Sequence, residues 1–158
     1  TCETINDTWG FNLQDNHHKS PTDLIRYLVK AAGYGANFLL NVGPMPDGRI
    51  QPEHADILRK VGEWLKVNGE TIYGTTGGPI SPRSWGVMTS RGNKTWIHLL
   101  DWKDEVLTFP STGKKIASAK IFTDQSPLRF SETDMGVSIR IPAGKRDMTD
   151  TIIELEFR

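Results

Sequence analysis

The sequence predicts a mixed fold, an α/β segment followed by an all-β segment, and three observations indicate it. Helical spacing of apolar residues and helix-capping signals characterise residues 1–75. Alternation of apolar and polar residues characterises residues 80–158. Between them, the run 74–79 contains only Gly, Thr and Pro, which is typical of a linker between domains. We therefore expect two units, 1–75 and 80–158.

The composition narrows the classes of function. The 158 residues carry 19 basic and 19 acidic side chains, and 37% of the residues are hydrophobic, enough for a packed core. Zero formal net charge without a basic stripe argues against nucleic acid as a partner, because such proteins must neutralise phosphates. No apolar run approaches the roughly 20 residues that span a bilayer. Cys2 is the one cysteine, which excludes an intrachain disulfide.

Residues 20–35 carry the signals of a first helix. Ser20 suits the N-cap position and Pro21 the first helical position. Asp23 stands third, where its carboxylate can complete a capping box. Apolar residues then recur at helical spacing: Leu24, Leu28 and Ala31 on one stripe, and Ile25, Val29 and Ala32 on the next. Gly33 and Gly35 are expected to end the helix.

A strand and a second helix are expected next. The run 37–42, Asn-Phe-Leu-Leu-Asn-Val, is nearly continuously apolar, which is typical of a parallel strand covered on both faces. Residues 43–48 hold two prolines and two glycines and predict a loop. Pro52 then begins a helix that Asn68 and Gly69 end. Its expected buried stripe is Ile57, Val61, Trp64 and Leu65.

The α/β segment is expected to be incomplete by itself. One strand between two helices leaves the hydrogen-bonding groups of its edges without partners. Satisfying them takes further parallel strands beside 37–42, as in a barrel or an open sheet. We therefore expect most of such a sheet to lie upstream of Thr1.

Residues 80–158 predict short antiparallel strands packed as a sandwich. The alternating runs are 85–89, 96–102, 119–123, 137–141 and 153–157. Turn-forming residues separate them, such as Arg91-Gly92-Asn93 and Asp134-Met135-Gly136. In the last run, the expected core-facing residues are Ile153, Leu155 and Phe157, and the expected outward residues are Glu154, Glu156 and Arg158.

Few residues near the start of the chain could carry chemistry. Glu3 and Asp7 are candidates for the carboxylate pair of a glycosidase, one to protonate the leaving oxygen and one as nucleophile or base. Solvation is the plainer interpretation of both. His17 and His18 are adjacent and lack the i, i+4 spacing of helical metal ligands, so we expect no metal site there.

Tryptophans offer two alternative binding surfaces. Trp9 precedes Gly10 in a polar segment, where it could line a sugar pocket or pack under a loop. In the β segment, Trp85, Trp96 and Trp102 could form the surface of a non-catalytic carbohydrate-binding module, although alternating tryptophans in a sandwich are more often core residues. A third interpretation is a structural sandwich that only supports its neighbour.

The motifs in combination resemble a known family. The relevant runs are TWGF at 8–11, GANFLLNVGP at 35–44 and VGEWLKVNGETIY at 61–73. Together, over residues 1–75, they resemble the α-L-fucosidases of glycoside hydrolase family 29. Residues 80–158 resemble the C-terminal sandwich of that family in position and pattern only.

The resemblance implies a fold and an activity. Members carry a catalytic (β/α)₈-like barrel followed by a β-sandwich, and they hydrolyse terminal α-L-fucosyl linkages with retention, by double displacement, without a metal or organic cofactor. By this likeness, 37–42 is the last barrel strand and 52–68 the last barrel helix. The catalytic carboxylates of the family lie upstream and do not map onto Glu3 or Asp7. We therefore expect no catalytic residue and no activity in this segment alone.

One substrate-binding residue carries over from the family. Trp9 matches the aromatic residue that packs against fucose near its C5 methyl group, and Phe11 stands where many relatives have Tyr. Asn41 is expected to order the loop backbone. The resemblance implies two partners, a fucosylated glycan or glycoside and the upstream barrel portion of the same enzyme, and it implies a secreted, periplasmic or lysosomal location. Neither nucleic acid nor membrane is an expected partner.

Overall fold

The structure, a computed structural model, describes residues 1–158 and contains two helices and ten strands. The helices are α1 (Pro21–Gly33) and α2 (Pro52–Asn68), and short 3₁₀ turns lie at Gly69–Thr71 and Ala143–Lys145. The strands are β1 (Cys2–Thr4), β2 (Leu39–Asn41), β3 (Thr76–Gly77), β4 (Gly86–Arg91), β5 (Lys94–Leu99), β6 (Val106–Phe109), β7 (Ile116–Ile121), β8 (Phe130–Thr133), β9 (Gly136–Arg140) and β10 (Thr151–Phe157). The helices precede most of the strands, as the sequence predicts.

The start of α1 is fixed by the predicted capping box. Ser20 Oγ accepts a hydrogen bond from the backbone N–H of Asp23 at 3.1 Å, and Asp23 Oδ2 accepts one from the backbone N–H of Ser20 at 3.3 Å. Two N–H groups that the helix cannot satisfy internally are thereby paired. Gly35 has a φ of +66°, a left-handed conformation that costs glycine little, and it turns the chain away after the helix.

Helix α2 has the predicted bounds and packs against α1. Its buried residues include Ile57 and Val61, as the spacing predicts, whereas Trp64 and Leu65 of the predicted stripe are only partly buried. The core of this unit is formed by Ile5, Leu24, Ile25, Val29, Ile57, Val61 and Ile72, joined by Val87 and Leu100 of the β segment. Neither α1 nor α2 combines the length and the hydropathy that a membrane-spanning helix needs.

The predicted strand 37–42 is shorter than expected and has a partner that the sequence analysis missed. Strand β2 pairs in parallel with β1, with Cys2 opposite Leu39. Leu40 packs against the helical core, but the side chain of Leu39, on the opposite face, is 60% exposed. Within this chain the helices cover one face of the pair, whereas on the other face Cys2 and Leu39 are exposed and Thr4 is buried. The expectation that both faces are covered is therefore not met at the start of the two strands.

The β segment forms two antiparallel sheets that face each other. The larger sheet has the order β3-β4-β5-β10-β7 and the smaller one β6-β9-β8. Their shared core comprises Ile80, Trp85, Met88, Ile97, Leu99, Leu107, Phe109, Ile116, Ala119, Ile121, Leu128, Val137, Ile139, Ile141, Ile153, Leu155 and Phe157. This arrangement is consistent with the predicted sandwich.

The run 74–79 is part of the larger sheet as well as a connection. Strand β3 lies within it and pairs with β4, with Gly77 opposite Thr89. The N–H of Gly78 donates to the carbonyl of Met88 at 2.8 Å. The segment that the sequence predicts as a linker is therefore held by main-chain hydrogen bonds at the edge of the sheet.

At β4 the five-stranded sheet is covered on both faces. Along β4, Met88 points into the core between the sheets and Val87 points into the helical core, because successive side chains alternate. Helix α1 lies directly on β4, since a Cβ atom built on Gly33 would stand 2.3 Å from Val87 Cβ. Only glycine allows this close approach of helix and strand.

Arg26 ties α1 to the end of the β segment. Its Nη2 donates to the carbonyls of Leu100 at 2.6 Å and Met148 at 2.8 Å, and its Nε donates to the carbonyl of Thr149 at 3.1 Å. Three carbonyls that no strand satisfies are thus bonded by one guanidinium group, which offers several donors in a fixed plane.

A chain of buried hydrogen bonds crosses from the helical unit into the sheet. The Thr89 hydroxyl donates to the carbonyl of Thr71 at 2.7 Å, and His98 Nε2 lies 3.1 Å from the same hydroxyl. His98 Nδ1 lies 2.7 Å from Asp150 Oδ2, and both side chains are fully buried. Because the Thr89 hydroxyl donates its only hydrogen to the Thr71 carbonyl, His98 Nε2 must carry a hydrogen and donate it to Thr89 Oγ1.

The same geometry fixes the number of protons on the pair. With Nε2 protonated, the short contact between His98 and Asp150 needs one more hydrogen, shared between Nδ1 and Oδ2. Burial raises the pKa of the Asp150 carboxyl, against the opposing charge and hydrogen bond of His98, which favours keeping that hydrogen on the pair. All of these hydrogen bonds can be made at once when the folded pair holds two ionisable protons.

One expectation for the last strand is wrong. Glu154, predicted to face solvent, is only 2% exposed. Its Oε2 accepts hydrogen bonds from Trp96 Nε1 at 3.0 Å and from Lys94 Nζ at 3.3 Å, and its Oε1 forms an ion pair with Lys120 at 3.0 Å. Burial acts to raise the pKa of Glu154, but the bonds from Lys120, Trp96 and Lys94 outweigh it and hold the pKa low. Alternation predicted the face of the strand correctly, but it could not indicate that this face is covered too.

The proton count predicts the pH dependence of stability. In the unfolded chain between about pH 4 and 6.5, the aspartate is ionised and the histidine is charged, so the two side chains together also hold two protons, both on the imidazole. Above that range the histidine is neutral and the two side chains hold one proton. Unfolding then releases a proton, so the free energy of unfolding should fall by up to about 1.4 kcal/mol per pH unit as the pH rises above 7. We expect chemical denaturation between pH 5 and 8.5 to show this decline.

The variant Asp150→Asn provides the contrast. The side-chain amide that this substitution introduces can donate to neutral His98 Nδ1, so the folded pair then needs one ionisable proton instead of two. The decline above pH 7 should vanish, and stability should instead fall below pH 6, where the unfolded histidine gains a proton. An unchanged pH profile in this variant would contradict the shared proton.

Candidate functional site

The candidate site lies at the carboxyl ends of the parallel strands. Strands β1 and β2 end side by side, with Thr4 opposite Asn41. The chain leaving β1 forms the loop 5–19, and the chain leaving β2 forms the loop 42–51. In parallel α/β folds, ligands bind at this end of the strands, because the loops that follow them converge there.

Trp9 stands on the first of these loops with a largely free side chain. The residue is 56% exposed, so the alternative that it packs under the loop as a core residue is wrong. An exposed indole costs free energy when water surrounds its apolar face. The carbonyl of Trp9, by contrast, is bonded from β2, and the residues just before Trp9 are bonded by a carboxylate further along the loop.

Asn41 and Gly43 hold the loop from the side of β2. Asn41 Nδ2 donates to the carbonyl of Trp9 at 2.8 Å and also lies 3.2 Å from Thr4 Oγ1. This confirms that Asn41 orders loop backbone. A Cβ atom built on Gly43 would stand 2.6 Å from the carbonyl carbon of Gly10, so the two loops touch backbone to backbone at this point.

Asp15 holds the loop from its other side. Its Oδ2 accepts hydrogen bonds from the Asn6 side chain at 2.9 Å, from the N–H of Asp7 at 3.1 Å and from the N–H of Thr8 at 2.8 Å, and it lies 2.8 Å from Thr8 Oγ1. These bonds, the one from Thr8 Oγ1 above all, hold the pKa of Asp15 below its ordinary value. No pattern in the sequence assigns Asp15 this role; the polar run Asn6-Asp7-Thr8 was the available signal.

The other charged residues near the start have separate partners. Glu3 accepts from the N–H of Thr4 at 3.0 Å and pairs with Lys19 at 3.4 Å. Asp7 pairs with His17 at 3.1 Å, and both side chains are exposed. Glu3 and Asp7 are thus engaged with different groups, and the solvation expected of both holds for Asp7 but not for Glu3, which is partly buried.

The two remaining histidines of this region face each other. The rings of His18 and His54 are 5.0 Å apart and nearly perpendicular, and His54 is fully buried. Burial lowers the pKa of His54, and the proximity of His18 lowers it further. No group of three or more His, Cys, Asp or Glu side chains is arranged to hold a metal ion.

The alternative binding surface on the β segment is wrong. Trp96 is fully buried and Trp85 is only 6% exposed, so neither indole face is available to a sugar. Trp102 is partly buried against the core between the sheets, and it borders a groove of about 210 Å³ together with Arg26 and Arg146. The three tryptophans therefore form no common surface: Trp85 lies in the core between the sheets, and Trp96 is buried on the other face of the larger sheet beside Glu154.

Comparison with known proteins identifies relatives of this chain. A family model described as Alpha-L-fucosidase matches residues 1–70. An α-L-fucosidase of Branchiostoma floridae is 36% identical over 107 residues, which are 64% of this chain and 24% of the relative. The human plasma α-L-fucosidase is 28% identical over 153 residues, which are 89% of this chain and 33% of the relative.

Solved structures agree with the sequence matches. α-L-Fucosidase isoenzyme 1 from Paenibacillus thiaminolyticus superposes with a TM-score of 0.88 at 30% identity, covering 99% of this chain and 39% of that one. The α-fucosidase of Thermotoga maritima in complex with fucose superposes with a TM-score of 0.83 at 25% identity, covering 98% of this chain and 38% of that one. The match therefore includes both the helical unit and the sheets.

The parallel strand pair, its loops and these comparisons place the chain among the glycoside hydrolases. It belongs to the α-L-fucosidases, glycoside hydrolase family 29, and matches the C-terminal part of their sequences. The chain spans about a third or less of the curated relatives that it matches.

Contact between the two loops can be tested with glycine substitutions. We expect Gly43→Ala to force the Gly10 backbone away and to lower the free energy of unfolding by about 1–3 kcal/mol, as overpacking does. Gly62→Ala is the matched control, because it lies within α2 with open space around it and should stabilise by about 1 kcal/mol. Urea denaturation measures both; equal effects would contradict the close contact at Gly43.

Proposed function

We propose that this chain is the C-terminal part of a retaining exo-α-L-fucosidase, which hydrolyses terminal α-L-fucosyl linkages of glycans by double displacement. The observation that carries the proposal is a parallel strand pair with a half-exposed tryptophan at its carboxyl end, in a chain that superposes on fucosidases over nearly its whole length. The substrate class follows from the relatives, one of which binds fucose.

In this proposal, residues 1–75 complete a (β/α)₈-like barrel and residues 80–158 form the sandwich that follows it. Strand β2 is the last barrel strand and α2 the last barrel helix. The uncovered face of the β1–β2 pair, which carries Cys2 and Leu39, supports this assignment, because in a barrel such a face is buried by side chains of the other strands. The upstream barrel portion of the same enzyme is thus the first partner of this chain.

Trp9 forms one wall of the fucose pocket in this proposal. Its exposure, its place at the carboxyl end of the strands and its backbone anchored by Asn41 support that role. An apolar wall against the C5 methyl group of fucose favours it over a sugar with a hydroxymethyl group there by about 1–3 kcal/mol. The following Phe11 has no hydroxyl to offer the sugar.

The chemistry itself belongs to residues outside this chain. Double displacement needs an aspartate nucleophile and an acid/base carboxylate, and Glu3 and Asp7 of this chain are engaged with Lys19 and His17 instead. We assign no cofactor and no metal to the reaction. The proposed location is secreted, periplasmic or lysosomal, supported by a relative that is a plasma enzyme.

Turnover measurements can test whether the catalytic carboxylates lie outside this chain while the chain supplies a wall of the pocket. We expect the 158-residue chain alone to release no 4-nitrophenol from 4-nitrophenyl α-L-fucoside, because it lacks both catalytic carboxylates. The same chain joined to its upstream barrel portion should turn the substrate over. Activity of the isolated chain would show that the carboxylates lie within it and would overturn the proposed assignment.

The role of Trp9 predicts a loss of selectivity. In the complete enzyme, Trp9→Ala should lower kcat/KM for 4-nitrophenyl α-L-fucoside by about 5- to 150-fold, the equivalent of about 1–3 kcal/mol. The value of kcat/KM for the α-L-galactoside, which carries a hydroxymethyl group in place of the methyl group, should fall by a smaller factor. Tyr34→Ala is the control, because Tyr34 is 70% exposed at the opposite end of α1. Unchanged kinetics would remove Trp9 from the pocket.

A further inference from the structure

We propose that Asp15 is the residue that positions Trp9 in the fucose pocket. The inference rests on the proposed function of Trp9 and extends it to a residue that touches no sugar. A single carboxylate oxygen, Asp15 Oδ2, gathers donors from the three residues directly before Trp9, namely Asn6, Asp7 and Thr8. A tryptophan on an irregular loop needs such support, because no helix or strand fixes its backbone.

The geometry around Thr8 connects Asp15 to both sides of Trp9. The Thr8 hydroxyl lies 2.8 Å from Asp15 Oδ2 and 3.0 Å from the carbonyl of Gly10. With one hydrogen to give, the hydroxyl donates to one of them at a time, and the charged carboxylate is the stronger acceptor. The backbone before Trp9 is therefore bound to Asp15, and the backbone after it lies within reach of the same hydroxyl.

Asp15 and Asn41 act on Trp9 from opposite sides. Asn41 fixes the carbonyl of Trp9 to the end of β2, and Asp15 fixes the N–H groups that precede it. The hydrogen bonds of both residues are to the loop and not to the indole, and Trp9 is left 56% exposed. A side chain whose backbone is held in place loses less entropy when a ligand covers it, which is how preorganisation raises affinity and rate.

The position requires an ionised carboxylate. Several donors converge on Oδ2, while Oδ1 accepts from the N–H of His17 at 3.4 Å. An ionised carboxylate has only acceptors, so it can serve all of these groups at once. An asparagine would keep the shape but would turn an NH₂ group either toward the donors of the loop or toward the His17 N–H.

The test is a double-mutant cycle in the complete enzyme. Asp15→Ala should lower kcat/KM for 4-nitrophenyl α-L-fucoside by about tenfold, since displacement of a positioned group by about 1 Å costs up to 10²-fold. Asp15→Ala should also reduce the preference of the enzyme for the α-L-fucoside over the α-L-galactoside. If Asp15 acts through Trp9, the double variant Trp9→Ala/Asp15→Ala should be no slower than Trp9→Ala alone. Losses that multiply would overturn the proposal.

A second variant and a second measurement guard against general loss of structure. Asp15→Asn preserves the shape of the side chain, and it should speed hydrogen exchange of the Asp7 and Thr8 amides while the melting temperature stays close to that of the parent. Asp124→Asn is the matched control, because Asp124 accepts from Ser126 in a turn of the sandwich. Unchanged exchange at Asp7 and Thr8 would contradict the role of Asp15.

The outcomes separate this inference from the function on which it rests. If Trp9→Ala leaves fucoside turnover and selectivity unchanged, the proposed pocket wall is wrong, whatever Asp15 does. If Trp9→Ala reduces them but Asp15→Ala does not, only the positioning role is wrong. If both reduce them and their effects do not add, Asp15 acts through Trp9.

Discussion

The five-stranded sheet packs its two faces against different partners, and the positions of α1 and of the smaller sheet both depend on this. On β4, Met88 faces the smaller sheet and Val87 faces the helices. A sheet covered on both faces must bury any polar group that its sequence places there, and each such group needs a partner. The chain from Thr71 through Thr89 and His98 to Asp150 satisfies that need at the boundary between helices and sheet. The hydrogen that His98 and Asp150 share links the same chain to the expected pH dependence of stability.

The candidate site depends on a different kind of support. The loop that carries Trp9 has no regular secondary structure, and its backbone is held by polar contacts from Asn41 and Asp15. The strands that carry the loop pair only with each other and leave Leu39 exposed. In the proposed enzyme the remainder of a barrel covers that face, while Trp9 meets the sugar at the open end. Rigid strands and a loop bonded to them together hold a pocket wall in place.

Much of the helical unit could be predicted from local signals. The capping box at Ser20 and Asp23 and the bounds of α2 from Pro52 to Asn68 depend on neighbouring residues, and the structure confirms them. Four short strands, β1, β3, β6 and β8, were not predicted. Strand β1 has only three residues, and β3 lies in a run of Gly and Thr; both form because a partner strand offers hydrogen bonds, which no local signal reveals.

The sequence by itself determined the periodicity of its elements, the likeness to α-L-fucosidases and the place of Trp9 within that likeness. Tertiary structure alone decided which faces are covered: Glu154, on the predicted outward face of β10, is buried among side chains of the neighbouring strands, and Trp85 and Trp96 lie inside. It also decided that Asp15 would bind the residues before Trp9, because the chain between them must fold back to bring the carboxylate there. Periodicity is a local property of the chain, whereas burial and convergence depend on what the rest of the molecule places nearby.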